Sequence, residues 1–61
     1  MTSMLTVREA AEFLGLRPAT IRAWILRRTN LEVVKVGRSV RIKRESLQRF
    51  IEANTIPPRR D

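Results

Sequence analysis

Apolar positions along the chain follow two spacings, one helical and one extended. Val7, Ala10, Ala11 and Leu14 stand at i, i+3, i+4 and i+7, the single apolar stripe of a two-turn helix. In front of it, Thr6-Val7-Arg8-Glu9 is a capping-box pattern: the Thr6 hydroxyl accepts from the Glu9 amide while the Glu9 carboxylate accepts from the Thr6 amide. Gly15 is placed to close this helix in the left-handed conformation. The small Ala10 and Ala11 on the inward stripe let a second helix come close. That helix is predicted from Pro18 to about Arg28, with Pro18 at the first position, where a missing N–H leaves no bond unmade. Ile21, Trp24 and Ile25 form its inward face, and Ala19, Thr20, Arg22, Ala23 and Arg27 look outward. Thr29 and Asn30 end it, with Asn30 as the expected left-handed residue, and Leu31 returns to the core.

From Val33 to Lys43 the period falls to two, which predicts a β-hairpin. A three-residue tip, Gly37-Arg38-Ser39, sets Val36 opposite Val40, Lys35 opposite Arg41 and Val34 opposite Ile42. It keeps the apolar and basic residues on separate faces. A two-residue tip pairs apolar with basic positions, so the three-residue register is expected. Leu47, Phe50 and Ile51 then mark a third helix over about Arg44 to Ala53, closed by Asn54. Phe13 and Phe50 are expected in the core, and Trp24, between Ile21 and Ile25, is expected there rather than as a base-stacking platform. The expected fold is α+β, mainly helical, in the order α-α-β-β-α: a small winged helix-turn-helix, its first two helices joined around a glycine. Residues 1–54 form the domain. Residues 55–61, with Pro57-Pro58, Arg59-Arg60 and no apolar face, are expected to be a disordered basic tail.

Composition narrows the chemistry. The 61 residues include thirteen Lys plus Arg against six Asp plus Glu, a formal charge of +7, with no Cys and no His. Disulfides, Cys/His zinc sites and imidazole bases are thereby excluded. A domain of roughly 60 residues buries only about 60% of its unfolded surface, which leaves little room for a deep pocket. No carboxylate pair, nucleophile with base or phosphate-cradling glycine loop is present, so a binding module without cofactor or metal is expected, not an enzyme. No apolar run approaches the roughly 20 residues of a membrane helix. A cytoplasmic, nucleoid-associated protein is expected, and a membrane-active peptide is disfavoured because the bases are spread over three elements.

Eleven of the thirteen bases are arginine, whose planar fork suits phosphates and base edges. Between Val33 and Arg44 five bases (Lys35, Arg38, Arg41, Lys43, Arg44) occur with no acid. Taken alone this is also how an edge strand guards against aggregation. Beside the basic face of the second helix it suggests double-stranded DNA, with the helix in the major groove and the hairpin on the backbone or in the minor groove. The candidate contacts on the helix are Arg17, Ala19, Thr20, Arg22, Ala23 and Arg27. Arg22 is the candidate for a bidentate guanine contact, Ala19 and Ala23 allow close approach, and Arg17 with the first-turn amides faces a phosphate. On the hairpin they are Lys35, Arg38, Arg41 and Lys43, with Arg38 at the tip suited to a narrow minor groove.

The run Leu5-Thr6-Val7-Arg8-Glu9-Ala10-Ala11-Glu12-Phe13-Leu14-Gly15-Leu16, then Thr20-Ile21-Arg22, then Val34-Lys35-Val36-Gly37-Arg38-Ser39-Val40-Arg41-Ile42, and Leu47 with Phe50-Ile51, resembles the excisionase-type winged-helix DNA-binding domains, relatives of the MerR-type headpiece. The resemblance covers Leu5 to about Glu52. It implies a recombination directionality factor that bends DNA for an integrase, or a small transcription regulator, of the kind found in mobile elements. Two departures stand out: Arg17 occupies the helix-two cap where many members have Ser or Thr, and Arg28, Thr29 and Asn30 with Glu32 replace the usual Gly and Pro in a connection about one residue longer. The expected partners are double-stranded DNA and an integrase, recombinase or other DNA-bound protein, with a free monomer that assembles on DNA. An adaptor that recruits a recombinase or polymerase subunit through its tail is the alternative.

Overall fold

The computed structural model describes residues 4–59. Its elements are β1 (Met4–Leu5), α1 (Val7–Leu14), α2 (Pro18–Arg27), β2 (Val33–Val36), β3 (Ser39–Lys43) and α3 (Arg44–Ala53). The order α-α-β-β-α is as expected, preceded by a two-residue strand that no periodicity announces. The three strands form an antiparallel sheet in the order β1-β3-β2, with Met4 opposite Lys43 and Leu5 opposite Ile42.

The capping box of α1 forms in full. The Thr6 amide donates to Glu9 Oε1 at 2.8 Å and the Glu9 amide to Thr6 Oγ1 at 3.0 Å. Gly15 ends the helix at φ 70°, a conformation that suits glycine. α2 begins at Pro18 behind Arg17, which makes no side-chain cap bond. At its other end the expectation needs correction: Arg28 at φ 56° closes the helix, and Asn30 at φ 66° is a second left-handed residue two positions on. Two of three successive residues are thus left-handed, and Leu31, next along the chain, lies in the core.

The core takes one or two residues from each helix, one from the central strand and one from the connection. Ala10 and Ala11 of α1, Ile21 of α2, Leu31, Ile42 of β3 and Leu47 of α3 are buried. Leu5, Val7, Leu14, Trp24, Ile25, Val33, Phe50 and Ile51 are half-buried around them. The two alanines admit α2 as their size suggested. Trp24 packs tilted on Phe50, ring centroids 5.1 Å apart, and both belong to the core periphery as expected. Phe13 does not: it is 65% exposed beside a shallow groove between α1 and α3. It follows Glu12 on the outer side of α1, outside the stripe of Val7, Ala10, Ala11 and Leu14.

Ser46 is the one buried polar side chain among the described residues, and its hydroxyl accepts from the Glu32 amide at 2.7 Å. The Glu32 carboxylate in turn meets the Arg49 guanidinium at the surface. α3 closes at Asn54, whose side-chain amide donates to the Phe50 carbonyl at 2.9 Å. It begins at Arg44 directly after the last residue of β3, with Lys43 serving as both strand end and helix cap.

Candidate nucleic-acid interface

The hairpin tip differs from expectation and changes which bases share a face. Val33 stands opposite Ile42, Val34 opposite Arg41, Lys35 opposite Val40 and Val36 opposite Ser39. The tip is therefore two residues, Gly37-Arg38. Gly37 at φ 60° is its first residue and Arg38 is not left-handed, the pattern of a type II′ turn, whose twist matches that of the strands. Both registers keep Val40 and Ile42 on the core side. The turn decides between them, because near the tip a mixed face costs little: Val36 is 53% exposed in any case.

The consequence is a split wing. Val33, Lys35, Val40 and Ile42 face one way; Val34, Val36, Ser39, Arg41 and Lys43 face the other. Lys35 therefore does not share a face with Arg41 and Lys43. It turns toward α2, where Ile25 and Leu26 of the helix, Arg28, Leu31 and Glu32 of the connection, and Val33, Lys35 and Val40 of the hairpin line one open hollow. Arg38 is exposed at the tip, and Lys43 is exposed at the wing's base. Arg41 is half-buried and folds along its own strand, donating to the Val40 carbonyl at 2.9 Å.

On α2, Arg17, Ala19, Arg22 and Arg27 are exposed, and Thr20 and Ala23 half-buried. The helix buries Ile21 and half-buries Trp24 and Ile25 on the opposite side. Its first turn offers fewer open amides than expected, since Pro18 has none and the Thr20 amide donates to the Arg17 carbonyl at 2.9 Å. Leu26 was not singled out by the residue pattern, yet it is 86% exposed on this outer side. A count of helical spacing finds it: Ala19, Ala23 and Leu26 fall at i, i+4 and i+7, facing away from Ile21.

α2 and the hairpin hold bases and no acid, and Glu32 of the connection lies beside them. The Arg49–Glu32 pair is the only ion pair among the described residues, so no base of α2 or the hairpin is neutralised by a carboxylate there. Glu9 lies on α1, its carboxyl held below the usual glutamate range, first by the Thr6 amide and hydroxyl, then by the charges of Arg41 and Arg44. No group of three or more His, Cys, Asp or Glu able to hold a metal ion occurs among the described residues. No helix among them is long and apolar enough to cross a membrane.

Comparison with curated proteins and with solved structures finds no match. Comparison with protein families does: the helix-turn-helix domain family matches residues 4–55. That span runs from the first residue of β1 to the residue after the α3 cap, taking in both helices of the turn, the wing and the third helix. With its capped first helix, glycine turn, exposed basic second helix and hairpin wing, the chain belongs to the excisionase-type helix-turn-helix domain family.

Proposed function

We propose that this protein binds double-stranded DNA sequence-specifically, α2 entering the major groove and the wing lying on the adjacent backbone or minor groove. The observation that carries the reading is the un-neutralised basic surface of α2 and the hairpin on a domain whose family points to DNA binding. Arg22 reads a base edge, Arg17 and Arg27 hold the flanking backbone, and Thr20 donates to phosphate or base. Ala19 and Ala23 set how closely the helix approaches. Lys35, turned toward α2, meets the phosphates between helix and wing; Arg38 leads the tip; Lys43 and Arg41 serve the far side of the wing.

In the cell such a domain acts as an excisionase-like directionality factor or a small transcription regulator. Selection of bound sequences from a random DNA pool separates the two: arrayed direct repeats favour the former, an isolated site beside a promoter the latter. On the selected site, neutralising about six phosphates gives a slope of log affinity against log salt near −5. A slope near zero would sink the reading. Arg22→Ala should cost about 1–3 kcal/mol on the preferred site and relax specificity there, whereas Lys35→Ala should weaken all sequences alike. Equal losses from both, on every sequence, would take the reading role away from Arg22.

A further inference from the structure

The outer face of α2 is not uniformly basic. Its centre line, opposite Ile21, is apolar: Ala19, then Ala23, then Leu26 one turn further on. Arg22 flanks this line on one side, Thr20 and Arg27 on the other. The Leu26 side chain is 86% exposed, which nothing in the packing of the domain requires. Leu26 also borders the hollow lined by Arg28, Lys35 and Glu32, whose carboxylate is taken up by Arg49.

An isobutyl group kept in water beside un-neutralised guanidinium groups fits a partner that is anionic at its rim and locally apolar at its floor. The major groove has that profile only where thymine presents its C5-methyl group. We infer that Leu26, with Ala23 beside it, is a thymine-reading residue: it covers a C5-methyl on the groove floor next to the base read by Arg22. The inference rests on the placement of α2 in the major groove and adds a base preference to it. The preferred site accordingly contains a thymine within a base pair or two of the guanine taken by Arg22.

Deoxyuridine tests this directly, since it removes the methyl and leaves every hydrogen-bonding group in place. On the sequence selected from a random pool, each thymine is replaced in turn and affinity is measured by fluorescence anisotropy. One replacement is expected to cost about fourfold, the factor that burying a CH₂-sized group supplies, and the others little. In Leu26→Ala the penalty at that position should vanish, with the circular-dichroism melt unchanged because the side chain is exposed. A second variant, Leu26→Asn, should move the preference at that position from thymine toward adenine. Deoxyuridine tolerated at every position, or a penalty that persists in Leu26→Ala, overturns the assignment while leaving DNA binding intact. A variant that loses only the cooperativity between copies on arrayed sites also overturns it, since Leu26 would then face another protein. If no sequence is preferred at all, the placement of α2 fails as well, and the two failures are told apart by that result.

Discussion

Ser46 and Arg49 both reach from α3 to Glu32, and magnitudes separate their roles. The Arg49–Glu32 pair is exposed, its side chains 62% and 65% accessible, and a pair in that setting contributes about 0–1 kcal/mol. The Ser46 hydroxyl is buried and takes the backbone N–H of Glu32 in a part-buried bond. Losing such an acceptor costs about 1–3 kcal/mol, because the amide is left without a partner. Ser46→Ala is therefore expected to lower the unfolding free energy by that amount in a urea titration, and Arg49→Ala by less than half as much. The reverse order would show that the surface pair, not the hydroxyl, fixes the connection between α2 and β2. A serine between Glu45 and Leu47 reads in the sequence as a solvated helix residue. Its role depends on Leu31, fifteen positions away in sequence, being pulled into the core and bringing the Glu32 amide with it.

At the scale of elements, α1 illustrates a helix whose start is specified locally and titrates accordingly. Its capping box lowers the Glu9 carboxyl pKa below the ordinary value of 4.5, so the ionised form is favoured by folding. The corresponding stability is fully present above that ordinary value and is lost as pH falls through the lower folded one. Melting temperature followed from neutral pH into that acid window should therefore fall further for the wild type than for Glu9→Gln, which keeps the bond to Thr6 but does not ionise. Parallel curves would mean that the carboxylate gains nothing from the Thr6 amide. The same locality explains what could be read from the sequence. The capping box of α1, the glycine of the turn, Pro18 and the helical stripes rest on spacings of four positions or fewer, and the structure agrees with them; the end of α2, expected at Asn30, falls instead at Arg28. The hairpin register and β1 involve partners set by the turn and by the sheet. Val34 and Val36 looked inward because alternation alone fits two registers, and the type II′ geometry at Gly37 selected the other. Met4 and Leu5 are too few to show a period and become a strand only because Ile42 and Lys43 lie alongside. The candidate interface was legible in the same uneven way: the arginines of α2 are visible as charges, while the exposure of Leu26 follows only from its helical spacing with Ala19 and Ala23.

Over the whole molecule, the proposed binding mode uses one helix and one wing, which would cover only a few base pairs. Sequence selectivity on a genome then calls for several sites or a DNA-bound partner, and we propose that copies assemble on DNA. The segment after α3 is the natural place for a second contact. Ile56 is 89% exposed ahead of Pro57-Pro58, and Thr55 is tied back to the Ile51 carbonyl, so residues 56–59 project from the domain. Truncation after Thr55, which spares that bond and the Asn54 cap, should leave the affinity for a single site little changed and abolish partner-dependent activity. Loss of single-site binding on truncation would instead make this segment part of the DNA contact. The expectation of a disordered tail concerns residues 55–61, of which Arg60 and Asp61 lie outside the described residues.

The join at Lys43 and Arg44 bears on how such contacts communicate. β3 is the middle strand of its sheet and passes into α3 without a linker, and Ile42 and Leu47, on either side of the join, are both buried. In the proposed binding mode, a load placed on the wing at Arg38 meets no loop between β3 and α3 that could absorb it.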